Sequence, residues 1–367
     1  MPAQHIIGFD AKRAYNNKSG LGNFSRDHIR MCVDHIPEHH YKLFTPKAEE
    51  SLANFHLGLP NTERISPTRG MGKISPSWWR SFGMIPDLRR HEVSLFHGLS
   101  ASLPAGMKNW DGVKIVSVHD LIFEKYPRWY SRADKILHRR KLKHATDVAD
   151  TIVAISRETA QDLEQLYKVD PNKIRVIYQS CHPAFRIPAE TKLPPGLPEE
   201  YVIYVGSIEE RKHLGELLQI IDDIGKIPII VVGKKTSYYN KIQPLVEKLQ
   251  RRGLYFHMQP DVVTLAALYK HALFSVYPSQ AEGFGIPVIE SLFSKTPVLA
   301  GSSPCLQEAG GPGGMYINPL NIPEFTKGFK LLLTQSSVRE NLAVEGFAHV
   351  EQFQPHKLAE MWKEVYR

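Results

Sequence analysis

Two glutamates, a pair of adjacent cations and one histidine carry the residue types from which chemistry could be built. Glu282 and Glu290 stand with seven residues between them in AEGFGIPVIES. The first lies in a loop bracketed by Gly283 and Gly285. The second lies among Val288, Ile289, Leu292 and Phe293, where an acid on a mostly apolar helix needs a partner. Carboxylates accept hydrogen bonds from hydroxyls, so the pair suits a polyhydroxylated ligand. The glycines let a ligand approach the backbone, and a helix opening near Pro287 turns its first amides outward, an arrangement that takes phosphate. Arg211 and Lys212 directly precede another helix. Two cations at a helix's positive end repel each other unless an anion is bound or the neighbouring Glu209 and Glu210 neutralise them as a solvated surface pair. Hydroxyls plus phosphates point to a sugar nucleotide. His119 follows the apolar run Val113 to Val118, at the strand end where open α/β sheets bind ligands, although such a histidine can equally be satisfied within the fold.

The elements that must position these groups follow from periodicity. Phe274 to Tyr277 reads as a buried strand, the glycine loop and a helix follow, and Pro297 to Leu299 reopens a strand. Tyr201 to Val205, a loop over Gly206, Ser207 and the two cations, the helix Leu214 to Ile224 and the strand Ile227 to Gly233 repeat that order. Upstream, His5 to Phe9 is a strand that enters a loop holding Gly20 and Gly22, followed by a helix over RDHIRMCVDHI. Ala149 to Ser156 is a strand entering a helix, with Ser156 placed to cap it. Trp78, Trp79, Phe82 and Met84 are expected to be core, and Gly310–Gly314 to be a loop after Glu308. Alternating strands and helices imply parallel sheets covered on both faces. The proline- and glutamate-rich stretch 186–200 reads as a linker. It divides residues 1–185 from residues 201–353.

Composition sets outer limits. A chain of 367 residues can enclose two cores. No apolar stretch approaches a membrane span, and MPAQHIIGFDAKRAY lacks the apolar segment of a signal peptide, so the expectation is a cytoplasmic protein. Cys32, Cys181 and Cys305 are scattered without metal spacing and read as reduced and structural. The net charge of +8 is uneven: residues 1–200 hold 29 Lys+Arg against 22 Asp+Glu, and the remainder 17 against 16. Lys125 to Lys143 gathers eight basic residues, interleaved with Tyr126, Trp129, Tyr130, Ile136 and Leu142. Such a stretch fits an anionic membrane surface or a solvated helix with its apolar positions facing the core. No nucleic-acid motif accompanies the charge.

The E-x7-E spacing within EGFGIPVIE resembles the signature of the retaining GT-B glycosyltransferases of family 4. GSIEERK resembles that family's donor loop, with Ser207 where arginine is frequent. VHDLIF is similar to its histidine segment, and Gly20, Gly22 and Phe24 match its G-x-G-x-[YF] pattern. The resemblance implies two Rossmann-like domains with parallel sheets facing across a cleft, the last helix (354–367) returning to the first domain. It implies Glu282 on donor-sugar hydroxyls, Glu290 on the ribose, the amides of Phe284 and Gly285 on the diphosphate, and Arg211 and Lys212 as the leaving group's counter-charge. His119 would lie near the reacting carbon, with Gly22, Gly206, Ser207 and Glu308 around the donor. The reaction implied is metal-independent hexosyl transfer with retention, needing no cofactor. The donor would be GDP-mannose or another NDP-hexose, and the acceptor a saccharide or lipid-linked saccharide at the inner face of the cytoplasmic membrane. A catalytically idle sugar-nucleotide-binding subunit, or a phosphorylase or epimerase on the same fold, are the competing functions.

Overall fold

The structure, a computed structural model, describes residues 4–18, 20–67, 75–186, 193–225 and 227–367. The chain divides into two units, Met1–Ser180 with Phe353–Arg367, and Cys181–Gln352.

The first unit is built on seven parallel strands: β1 (Ile6–Asp10), β2 (His40–Phe44), β3 (Thr62–Ile65), β4 (Leu95–Gly98), β5 (Val113–Val118), β6 (Thr151–Ala154) and β7 (Ile174–Val176). Their spatial order is β3-β2-β1-β4-β5-β6-β7. A parallel sheet must be covered on both faces, which is why its central strands are apolar almost throughout. One face packs Phe44, Trp79, Leu88, Phe96 and Val116 with Leu142. The other packs Ile7, Ile29, Cys32, Leu43 and Ile115 with Leu358 and Trp362, so the C-terminal helix Pro355–Val365 closes this unit's core. Tyr366 ties it down, its hydroxyl lying 2.7 Å from His28 Nε2 and 2.8 Å from His97 Nδ1.

The second unit has six parallel strands: β8 (Val202–Val205), β9 (Ile229–Val232), β10 (Tyr255–Met258), β11 (Ser275–Tyr277), β12 (Val298–Gly301) and β13 (Gly314–Ile317). They are ordered β10-β9-β8-β11-β12-β13. In both sheets the winding reverses once, between β1 and β4 and between β8 and β11. At such a switch point the loops leaving the two strands diverge and open a crevice at their carboxyl ends.

Several local expectations change. Gly20 to His35 is one helix, so Gly22 and Phe24 sit in its first turns and not in a glycine loop. Gly22 is there for close packing: a Cβ would fall 1.8 Å from the Asn17 carbonyl oxygen. Trp79 and Met84 are core, but Trp78 and Phe82 are 40% and 59% exposed. The five residues Trp79–Gly83 form a π-helical turn, and its wider pitch rotates Phe82 off the buried face. Ser156 caps its helix as expected, accepting from the Thr159 amide at 3.1 Å. Of the linker, 187–192 lie outside the described residues, and 193–200 contain no helix or strand. The helix Pro183–Arg186 belongs to the second unit, because Phe185 packs edge-on against Tyr269. The glycine run is ordered as the end of the helix Pro304–Gly310, a tight turn Gly311–Gly313 and the start of β13.

Candidate functional site

The second unit's switch point brings together the loop after β8 and the loop after β11. Gly206 leaves β8 with φ +156, and a Cβ there would sit 3.1 Å from Lys212 Nζ, so the glycine leaves room for that ammonium. A short turn, Glu210–Lys212, then delivers Arg211 and Lys212 to the crevice before the helix Leu214–Ile224 begins. Across from them β11 ends in Tyr277, and Ser279 and Glu282 follow. Gly285, with φ +135, caps the helix Ile286–Phe293; Pro287 has no amide hydrogen and the Val288 amide donates to the Gly285 carbonyl at 2.9 Å, so the donors this end can turn outward lie at and before Ile286.

Glu282 is the hub. Its Oε1 accepts from Tyr277 OH at 2.7 Å and Ser279 Oγ at 2.8 Å, and it pairs with Arg211 Nη1 at 2.8 Å and Lys212 Nζ at 3.3 Å. Burial alone would push this carboxyl up; Lys212, Arg211 and the two hydroxyls outweigh that and hold it at about 2. It is therefore a permanent anion, able to accept hydrogen bonds and unfit to donate a proton near neutrality. Burial would lower Arg211, but Glu282 and Glu209 hold it above its ordinary range. Burial and the neighbouring Glu282 carboxylate raise Tyr277, so its hydroxyl stays a donor.

Arg211 departs from expectation. Its guanidinium donates from Nε to Glu209 Oε2 at 2.9 Å and from Nη1 to the Ala281 carbonyl at 2.6 Å, besides pairing with Glu282. Its own carbonyl accepts from the Gln280 amide at 2.9 Å. These bonds make Arg211 the clamp that fixes residues 280–282. The anion that reconciles the two adjacent cations is Glu282, with Glu209 at the rim, where it also accepts from Ser207 Oγ. Lys212 remains the cation with the lighter commitment, bonding Tyr277 OH at 3.1 Å and lying over its ring.

Glu290, half-buried on its helix, lies beside Tyr269, whose hydroxyl also bonds the Pro287 carbonyl at 3.3 Å. The acid expected to need a ligand partner thus has a protein neighbour. Phe284 is buried, and Glu308 lies in the helix Pro304–Gly310 with its carbonyl bonded to His349 Nε2 at 3.0 Å. Tyr277, Ser279 and His213, which bonds Glu216 at 3.0 Å, are members of this cluster that spacing did not reveal. Tyr277 and Ser279 were discoverable as hydroxyls at the carboxyl end of a buried strand.

In the first unit His119 follows β5 and is buried. Its Nε2 faces the Leu99 carbonyl at 2.9 Å and must carry the proton; Nδ1 then accepts from Gln179 Nε2 at 3.0 Å. Burial lowers its pKa to about 4, with Leu99 opposing and Arg13 adding to the fall, so it is neutral near pH 7. Both ring nitrogens are engaged inside the protein, and the ring meets Phe24 edge-on with centroids 4.6 Å apart. His119 shapes the strand ends here and has no nitrogen left over for proton transfer without breaking one of these bonds. Among the described residues no group of three or more His, Cys, Asp or Glu is arranged to hold a metal ion.

Two parallel doubly wound sheets, with acid, cations and a helix N-terminus at the second switch point, define the GT-B class of glycosyltransferases, and comparison with known proteins agrees. The Anabaena protein HepE, solved with UDP and glucose, superposes with a TM-score of 0.74 over 99% of both chains at 16% identity, a likeness of fold. Residues 24–184 match the family Glycosyltransferase Family 4, and residues 189–348 match Glycosyl transferases group 1. O-antigen chain mannosyltransferase B of Escherichia coli is 26% identical over 285 residues, covering 72% of each chain. O-antigen chain mannosyltransferase RfbU of Salmonella typhimurium is 30% identical over 208 residues, covering 56% of each. The chain belongs to the family 4 glycosyltransferases.

Proposed function

We propose that this enzyme transfers a hexose, mannose in the first instance, from a nucleoside diphosphate sugar to a saccharide or lipid-linked saccharide in the synthesis of a surface polysaccharide. The observation that carries this reading is the partly buried Glu282 anion held by Lys212, Arg211, Tyr277 and Ser279 beside the N-terminus of the helix Ile286–Phe293. The names of the two bacterial mannosyltransferase relatives support the choice of sugar and of pathway class.

In this mechanism Lys212 and the amides of Phe284 and Gly285 stabilise charge growing on the leaving diphosphate, and being already oriented they need no reorganisation. Glu282 accepts from donor-sugar hydroxyls and Glu290 from the ribose. Gly206 and Ser207 line the phosphate side, with Glu308 towards the nucleotide. Arg211 acts through Glu282 as a positioning residue. The acceptor attacks from the leaving-group face, its proton passing to the departing phosphate, so configuration is retained and no protein nucleophile or divalent metal is used. His119 orients the neighbouring strand ends as a neutral ring.

Association with an anionic membrane surface belongs to the same proposal. No helix among the described residues is long and apolar enough to cross a membrane. The helix Arg132–Val148 buries only Leu142, Ala145 and Thr146, and it leaves Ile136 and Leu137 half-exposed among Arg132, Arg139 and Arg140. A cationic rim around two exposed aliphatic side chains is what binds such a surface peripherally.

Donor screening by thermal protection, followed by transfer assays, tests the reading. Lys212→Ala and Glu290→Ala are each expected to lower kcat/KM at least a hundred-fold, the first mainly through kcat. Full transfer activity in both variants would place the donor elsewhere.

A further inference from the structure

The first unit's own switch point holds a second polar cluster that the reaction as proposed does not use. Asp10 ends β1, and its Oδ2 accepts from Arg80 Nε at 2.8 Å and Nη2 at 2.5 Å. Arg80 Nη2 also donates to Ser102 Oγ at 2.9 Å in the loop after β4. One guanidinium therefore spans the two loops that diverge at the reversal of winding, where ligands bind in open α/β sheets. Lys12 and Arg13 open the short helix Lys12–Asn16 directly after β1, the Lys12 amide donating to Asp10 Oδ1 at 3.3 Å, and Lys141 of the helix Arg132–Val148 feels the charges of Arg80, Lys12 and Arg13.

These four cations share a single carboxylate. Arg80 pairs with Asp10, and among the described residues neither Lys12, Arg13 nor Lys141 has an acid within 4.0 Å. The strain of that arrangement is electrostatic. Burial, Arg80 and Arg13 push Lys12 below the usual lysine range. Burial and Arg80 do the same to Arg13, and burial with Arg80, Lys12 and Arg13 to Lys141. Arg13 and Lys141 are nevertheless exposed, so an anion can reach them. Arg13 is also close enough to His119 to depress it, which puts the cluster beside the strand end that follows β5.

We infer that Lys12, Arg13, Arg80 and Lys141 form a binding site for a phosphate or diphosphate group carried by the acceptor. The identification of the anion as the acceptor's rests on the proposed transferase activity; the existence of an anion site does not. Arg13 and Lys141 supply exposed charge, and Arg80, held by Asp10 and Ser102, supplies a fixed one. Lys141 shares its helix with the exposed Arg132 and Arg140, so a path of positive charge, broken by Asp134 and by the Arg139–Glu124 pair, leads from the switch point to the surface proposed to meet a membrane. A saccharide joined to a lipid through a diphosphate fits that path: its phosphates rest on the cluster and its sugar end reaches towards His119.

Inorganic pyrophosphate titrated calorimetrically into the full-length chain carrying Lys212→Ala, which disables the site proposed for the donor, is expected to bind with one-to-one stoichiometry. Adding Arg13→Gln and Lys141→Gln should weaken that binding at least ten-fold, while the charge-matched Lys108→Gln/Lys168→Gln pair should leave it unchanged. Equal weakening by both pairs, or none by the first, overturns the site. Because both altered residues are exposed and make no ion pair, loss of fold is not the expected cause, and circular dichroism checks it. In transfer assays of the otherwise unaltered enzyme, Arg13→Gln/Lys141→Gln should raise KM at least ten-fold for a saccharide on a short polyprenyl diphosphate. The KM for the same saccharide as a methyl glycoside, and for the donor, should not move. A rise in donor KM instead would assign the anion to the donor and overturn the proposal. Transfer to neither acceptor by the wild type would sink the proposed activity, leaving the calorimetry to judge the site by itself.

Discussion

Glu282 carries two cations and two hydroxyls on its carboxylate, and this concentration of partners makes its ionisation a stability term. Its folded pKa of about 2 lies below the ordinary 4.5, so the native state holds fewer protons than the unfolded chain between those values. The stabilisation is therefore complete above about pH 4.5 and fades as pH falls towards 2, with a size on the order of 3 kcal/mol at neutrality. Glu282→Gln keeps the shape and removes the charge. The melting temperature of wild type minus variant is expected to be largest near pH 7 and to shrink as the pH drops below 4.5; a gap that stays constant or widens on acidification would contradict the assignment. The sequence made the members Glu282, Arg211 and Lys212 legible through the residues around them, EGFGIPVIE and GSIEERK, since paired acids and adjacent cations are common by themselves. It did not make their pairing legible. Adjacent cations need an anion, and nothing in the spacing says whether a ligand or a loop about seventy residues away supplies it. Here Arg211 spends its fork on Glu209, Ala281 and Glu282.

Elements were readable wherever burial forces one period on the side chains. The strands Val202–Val205 and Ile229–Val232 and the helix Leu214–Ile224 stand close to where the apolar runs put them. Reading failed where two signals compete. Gly20 and Gly22 suggested a turn, yet glycine is also the residue that lets a helix approach backbone closely, and contact with Asn17 decides for the helix. Trp78 and Phe82 look like core by residue type, but a π-turn leaves them outward. The C-terminal helix shows how much one side chain can fix. Tyr366 OH sits between two buried histidines, and His97 passes the chain on through Nε2 to Ser117 Oγ at 2.8 Å. Tyr366→Phe would strand two buried ring nitrogens, and such unsatisfied groups cost about 1–3 kcal/mol. Chemical denaturation is expected to show that loss in the first unit, with faster exchange of backbone amides in the helix Pro355–Val365. Unaltered stability would mean that water replaces the hydroxyl.

At the scale of the whole chain, the two units enclose separate hydrophobic cores and hold different kinds of charged group, so pH and donor should act on them differently. The first unit buries neutral histidines: burial pushes His28 to about 3 and His119 to about 4, and His97 well below its ordinary value. The unfolded chain takes up protons near 6.5 that these rings refuse in the fold, so their contribution is full above that pH and is lost as pH falls through the window down to about 4. The second unit carries the proposed donor site, and a ligand held there at a hundred times its dissociation constant adds about 2.7 kcal/mol. For a unit of this size that is roughly 5–10 °C. Differential scanning calorimetry from pH 7.5 to 5.0, with and without a sugar nucleotide, is expected to resolve two components. The one that falls on mild acidification should be nearly indifferent to the nucleotide, and the one raised by the nucleotide should be nearly indifferent to mild acid. A single component moved by both would mean that the units unfold as one cooperative body, whereas protection confined to the acid-sensitive component would put the donor in the first unit and refute the site built on Glu282.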